Sequence, residues 1–137
     1  MLLREVILDD SDFLYDLYMK RDSRDILTPI KLNEQNNFVQ NYLVKSNIHP
    51  YQSWNIIEID SKKIGSLTLH KKNNEIGYWL LPEFQNKGIG TEAIKKFIDI
   101  NRKSYYTIRT HIENKRSQHI AEKLNFTLSQ YEYRLEL

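Results

Sequence analysis

Cysteine is absent from this 137-residue chain, which excludes disulfides, a thiolate nucleophile and a cysteine-ligated metal. Long hydrophobic runs are absent too. No apolar stretch approaches the ~20 residues needed to span a bilayer, and Met1-Leu2-Leu3-Arg4-Glu5 meets charge too early for the apolar core of a signal peptide. Charge of one sign is also scarce: 20 Lys and Arg stand against 18 Asp and Glu, a formal net charge of +2. That balance argues against a nucleic-acid binder or a polybasic membrane binder. No internal repeat, linker or low-complexity segment is visible. These absences predict a soluble cytoplasmic protein with one domain over residues 1–137, because that length has room for one core.

What is present has a readable order. Leu2 to Leu8 alternates like a strand, and Asp9-Asp10-Ser11 offers helix-starting oxygens. Asp12 to Lys20 places Phe13, Leu14, Leu17 and Tyr18 at helical spacing. The polar run Arg21 to Asp25 ends that helix, and Thr28-Pro29 forces an extended or turned backbone. A second helix starts near Leu32 or Asn33 with Phe38, Tyr42 and Leu43 on its apolar face. The period then changes to two. Ser53 to Ile59, Lys63 to Lys71 and Glu75 to Leu81 alternate as a three-stranded antiparallel meander, turned at Asp60-Ser61-Lys62 and Asn73-Asn74 and stopped by Pro82. Gly88 to Asn101 reads as a helix with Ile89, Ala93, Ile94, Phe97 and Ile98 inward. Tyr105 to Ile112 reads as a strand, Lys115 to Leu124 as a helix, and Phe126 to Leu137 as one or two closing strands. The helix between Glu75–Leu81 and Tyr105–Ile112 predicts a right-handed crossover that makes those two strands parallel neighbours.

The most informative stretch is Gln85-Asn86-Lys87-Gly88-Ile89-Gly90-Thr91, between a strand and the first turn of a helix. Glycines let backbone N–H groups approach a ligand, and a helix N-terminus adds unpaired donors and a positive dipole end. Together these suit phosphate oxygens, although two glycines also simply make a tight turn. A P-loop is excluded, because Thr91 follows Gly90 where a lysine is needed. Gly88-x-Gly90-x-x-Ala93 with Glu113 fits a dinucleotide fingerprint in spacing. It fails because Pro82 to Lys87 separate the strand from the first glycine, and too little chain remains for a doubly wound sheet.

The same residues carry a resemblance. Gln85-x-x-Gly88-x-Gly90 resembles the signature of the GNAT N-acetyltransferase superfamily. The block from Glu75-Ile76-Gly77-Tyr78-Trp79-Leu80-Leu81-Pro82 to Ala93 is similar to the branch of ribosomal-protein N-terminal acetyltransferases. A second block, Asn114-Lys115-Arg116-Ser117 with Glu122-Lys123-Leu124-Asn125-Phe126, resembles N-x-x-S…E-K-x-G-F. The resemblance implies an α+β fold: a mixed, mostly antiparallel sheet with two parallel splayed strands, flanked by about four helices. It implies acetyl-CoA as co-substrate, no metal, and direct attack by a primary amine in a ternary complex. The acceptor would be a protein N-terminus or a small amine such as an amino sugar, with no nucleic acid or membrane partner and a monomer or homodimer. The alternative is a non-catalytic acyl-CoA sensor or interaction module on the same fold.

By the same resemblance the cofactor-binding residues are Leu80, Leu81, Gln85, Asn86, Lys87, Gly88, Ile89, Gly90, Thr91, Asn114 and Ser117, with Lys87, Lys115 and Arg116 as candidates for the outer phosphates. Glu75 matches a glutamate base acting through water, or is a solvated residue after its turn. Glu132, Glu136, His70 and His111 are the other candidate bases. A backbone N–H of Trp79 or Leu80 would hold the oxyanion. Many relatives place a tyrosine proton donor seven residues after the match to Asn114, and Ala121 stands there. In the related N-terminal acetyltransferases a serine matching Ser117 is the proposed donor, so the resemblance gives Ser117 that role, with Asn114 as a cofactor contact; structurally the two also read as a helix N-cap and its first turn. Asn125 stands where glycine is usual, and asparagine tolerates the left-handed conformation. The acceptor wall would include Arg21, Asp22, Arg24 and Asp25.

Overall fold

The computed structural model describes residues 1–20 and 31–137. Four strands, β1 (Leu2–Glu5), β2 (Tyr51–Ile59), β3 (Lys62–His70) and β4 (Ile76–Leu80), form one antiparallel sheet in sequence order. Helices α1 (Ser11–Met19) and α2 (Leu32–Leu43) precede the meander, and α3 (Ile89–Ile100) and α4 (Lys115–Lys123) follow it. Both expected hairpin turns form. Asp60 and Ser61 have φ of 51° and 64°, and Asn73 and Asn74 have φ of 60° and 48°. Two consecutive positive φ values match the right-handed twist of the flanking strands.

Strand alternation gives the sheet two buried faces. Trp54 and Ile56 of β2 meet α1 and α2 through Leu14, Leu17, Tyr18 and Val39. Ile57, Leu67 and Leu69 lie on the other face beneath Ala93, Ile94 and Phe97 of α3. Leu43, expected on the inner face of α2, lies exposed near its end, and Gln35 and Val39 are the helix's buried residues.

The start of α1 also differs from the sequence reading. β1 ends at Glu5, three residues early, and the oxygens of Asp10 do not cap the helix. They accept instead from both terminal nitrogens of Arg4 at 2.8 Å, from the Ile7 N–H at 2.8 Å and from Lys63 at 2.7 Å. Two guanidinium donors and an ammonium outcompete one backbone amide for a buried carboxylate. Burial alone would raise the Asp10 pKa, but these bonds and the Arg4 charge prevail and hold it at about 2.

The segments after α3 differ most. Tyr105 to Ile112 is not a strand: its ladder pairing with the sheet is a single parallel bridge, Glu75 with Thr107. The Ile76 N–H donates to Thr107 O at 2.8 Å and the Thr107 N–H to Asn74 O at 3.2 Å; beyond that point the ladder stops. The expected pair of parallel splayed strands is thus one strand and one irregular segment touching at their starts. The closing strands of Phe126 to Leu137 do not form either, and residues 127–137 are exposed. Without a partner on its far side, the 105–112 segment has no second ladder to hold it extended. Asn125 adopts φ of 66° after α4, as expected.

Candidate active site

The 105–112 segment leaves β4 after Thr107, and the separation opens a cavity of about 550 Å3 between β4, the α3 N-terminus and α4. Leu80, Gln85, Asn86, Gly88, Gly90 and Thr91 line one side, with Asn114 and Ser117 opposite. Of the cofactor residues named from sequence, Leu81, Lys87 and Ile89 fall outside this lining: Leu81 is buried, Lys87 is exposed, and Ile89, which starts α3, is half-buried against the core. Lys115 and Arg116 line it, joined by His119 and Lys123. Among the described residues, no carboxylate lines it. In a chain of near-balanced charge this bias favours an anionic ligand.

The floor of the cavity is a set of backbone donors. Gly88 caps α3 at φ of 79°, and Asn86 two residues earlier has φ of 61°. The first intrahelical bond runs from the Glu92 N–H to Gly88 O, so the N–H groups of Ile89, Gly90 and Thr91 have no partner within the helix. A methyl group on Gly88 would meet no protein atom within 4 Å, and one on Gly90 would press on Ile120 at 3.3 Å. Positive dipole, free amides and open space at Gly88 fit a diphosphate. The Gln85 side chain is turned back onto the sheet, where its Nε2 donates to Leu80 O at 3.1 Å and braces the exit from β4.

Alternation along β4 sorts the oxyanion candidates. The Ile76 N–H points to Thr107, away from β3, whereas the Leu81 N–H donates to Ile64 O of β3 at 2.9 Å. Odd-numbered amides therefore face β3 and even-numbered ones the gap. Trp79, named from sequence, spends its N–H on the sheet. Leu80 presents its own to the cavity.

On α4, Asn114 Oδ1 accepts from the Ser117 N–H at 3.1 Å, an N-cap. Ser117 Oγ accepts from the Tyr78 hydroxyl of β4 at 2.7 Å. Ser117 and Asn114 are both buried. Sequence reasoning missed Leu17, Tyr78, His119, Ile120 and Lys123 as lining residues. Tyr78 was legible as the same-face neighbour of Leu80, and His119, Ile120 and Lys123 follow Arg116 at helical spacing.

Glu75 lies outside the cavity lining, at the bridge where β4 and the 105–112 segment part. Arg109 Nε approaches its carboxylate at 3.4 Å. His70 is its backbone neighbour, and the His70 ring stands 4.9 Å from Tyr51. Burial lowers the His70 pKa; the Glu75 charge opposes that shift and Arg109 adds to it. Burial foremost, then the charges of Tyr18 and Glu75, raises that of Tyr51. The structure thus brings together Glu75, His70, Tyr51 and Arg109. His111 is exposed and accepts from the Glu113 N–H, a local turn contact. Glu132 and Glu136 are exposed, with Glu136 paired to Arg134. Arg21, Asp22, Arg24 and Asp25 lie outside the described residues. Among the described residues, no group of three or more His, Asp or Glu could hold a metal, and no helix is long and apolar enough to cross a membrane.

An α+β sheet parts beside a helix N-terminus, and a cavity with cationic lining lies at the parting. The sequence profile described as Acetyltransferase (GNAT) domain matches residues 1–127. The chain belongs to that family. Its fold is similar to a RimL ribosomal L7/L12 α-N-protein acetyltransferase in complex with coenzyme A, at 22% identity and a TM-score of 0.75, covering 93% of this chain and 80% of that one. It is also similar to the acetyltransferase from Salmonella typhimurium that modifies the N-terminal serine of 50S subunit protein L7/L12 (22% identity, TM-score 0.70, 88% and 77% covered). A third is the spermidine N-acetyltransferase SpeG F149A mutant of Vibrio cholerae (20% identity, TM-score 0.73, 90% and 78% covered). No curated protein sequence matches significantly.

Proposed function

We propose that this chain transfers the acetyl group of acetyl-CoA to a primary amine by direct attack in a ternary complex. The observation that carries the reading is the cavity lined by Lys115, Arg116 and Lys123 that ends on the free amides of Ile89, Gly90 and Thr91. The diphosphate sits on those amides, Lys115, Arg116 and Lys123 neutralise the outer phosphates, and the acyl arm lies along β4. The Leu80 N–H is aimed at the oxygen that becomes negative during attack. An ammonium, with a usual pKa of about 10, has no lone pair until it loses a proton. Glu75, at the narrow end of the gap, accepts that proton through water, with His70 beside it. The acceptors in the names of the similar proteins, a protein N-terminus and spermidine, share a primary amine, and we assign that class here. The reading takes residues 1–137 as one domain acting in the cytoplasm.

The test is thiol release from acetyl-CoA against peptides with free N-termini, polyamines and amino sugars, alongside calorimetry with coenzyme A. Turnover with one acceptor class and tight coenzyme A binding support the proposal. Binding without turnover on any amine identifies a sensor instead. No binding refutes both.

A further inference from the structure

A thioester's departing sulfur takes up a proton, and relatives that use a phenol on α4 have no counterpart here, because Ala121 stands in its place. Ser117 reaches the same cavity, but a serine hydroxyl alone is too weak an acid to protonate a thiolate. The structure places a phenol behind it. Tyr78 projects from β4 across the cavity and donates to Ser117 Oγ at 2.7 Å. Ser117 is buried, and its N–H is already committed to Asn114 Oδ1. With its oxygen accepting from Tyr78, the serine hydroxyl's own hydrogen is not spent on the phenol, and Ser117 lines the cavity.

We propose that Tyr78 is a positioning residue for the leaving group, supplying through Ser117 the acidity that a phenol on α4 supplies elsewhere. The inference rests on the acetyl-transfer reading above. The amine nitrogen bonds to the thioester carbon, and the C–S bond breaks with its electron pair on sulfur. The Ser117 proton moves to sulfur while the Tyr78 proton moves to Ser117 Oγ. The ammonium loses two protons in all: one goes to Glu75 before attack and on to solvent, and the second, released as the amide forms, returns to Tyr78 through solvent, so that one proton reaches sulfur and one is left in solvent. A phenol is a far stronger acid than an aliphatic hydroxyl, so the coupled donor suits a departing thiolate better than an isolated serine does.

The experiment compares the parent chain, Tyr78→Phe, Ser117→Ala and the double variant in thiol-release kinetics, with thermal melts confirming that each is folded. Tyr78→Phe keeps the ring and loses the donor. It is expected to lower kcat about tenfold and to leave the KM for acetyl-CoA within about twofold, since one hydrogen bond acting on the chemical step is lost. The double variant is expected to be no slower than Ser117→Ala, because the phenol acts only through the serine. Losses that multiply, a loss confined to KM, or an unchanged kcat in Tyr78→Phe overturn the proposal while leaving acetyl transfer standing. No turnover by the parent chain with any amine overturns both.

Discussion

Replacing Gly88 by alanine separates the helix-end amides as ligand donors from their role in the fold. Gly88 sits at φ of 79°, where an alanine costs about 1–2 kcal/mol of backbone strain. Nothing in the protein lies within 4 Å of the added methyl, so strain is the whole structural penalty. For a chain of this size that lowers the melting temperature by roughly 3–8 °C. The ligand is affected differently, because the methyl enters the space where a diphosphate oxygen meets the amides. Losing one hydrogen bond to a charged oxygen costs about 1.5–3 kcal/mol, or about a 10- to 100-fold weaker Kd. Melts with and without coenzyme A report both quantities. At 100 times its Kd the ligand stabilises the parent by about 2.7 kcal/mol; a variant binding 100-fold more weakly gains only about 0.4 kcal/mol at that concentration. Pantetheine, which lacks the diphosphate, is expected to bind parent and variant alike. If Gly88→Ala melts lower yet gains the full increment from coenzyme A, the amides do not hold the diphosphate.

Glu75→Gln is expected to lower kcat by about 100-fold, with coenzyme A affinity by calorimetry unchanged. Leu80→Pro removes an amide that faces the gap and is expected to retain coenzyme A binding while losing about 100-fold in kcat; Trp79→Pro removes a ladder donor to β3 and should be unfolded by circular dichroism. Asp10→Asn strips Arg4 and Lys63 of their shared partner and should cost about 2–3 kcal/mol in urea melts, the low end for a broken buried pair because both cations reach solvent. With the Asp10 pKa at about 2 against 3.8 unfolded, that contribution is complete above pH 4, and the gap between parent and variant closes as pH falls toward 2. His49 is buried, accepts from the Tyr51 N–H and donates to the Phe38 carbonyl. Burial lowers its pKa, opposed by the Phe38 carbonyl and aided by Lys71 and His70. Below its unfolded value near 6.5 the unfolded chain binds the extra proton, so parent stability falls through pH 6 to 5, and His49→Gln is expected to lessen that fall.

Local features were legible in the sequence because local chemistry decides them. Asp60-Ser61 and Asn73-Asn74 turn as hairpins, Gly88 caps its helix and Asn114 caps α4, each from residues that carry their own conformational or hydrogen-bonding preference. The features that misled depend on distant partners. Asp10 has the composition of a helix cap, but Arg4 and Lys63 claim its oxygens. Tyr105 to Ile112 and Phe126 to Leu137 alternate as strands do, and alternation records which side chains suit a sheet, not whether a neighbouring backbone is there to pair. The bond that Tyr78 makes was hidden for the opposite reason. An aromatic in an alternating run reads as core, and its hydrogen bond to Ser117 joins residues 39 positions apart.

The single bridge between Glu75 and Thr107 is the pivot of the site. Were pairing to continue past it, the gap-facing Leu80 N–H would be consumed by a carbonyl and the space above Gly88 would close. Were pairing absent, nothing would fix the distance between β4 and α4 that Tyr78 and Ser117 span. One bridge at the start of β4 gives a wedge: narrow at Glu75, open at Gly88. A carboxylate at the narrow end and free amides at the wide end suit a long anionic donor whose reactive tip approaches an amine, since the two reactants need opposite chemistry at opposite ends. The Arg109 ion pair with Glu75 belongs to that geometry, because Arg109 lies two residues beyond Thr107 and so ties the carboxylate to the segment that diverges.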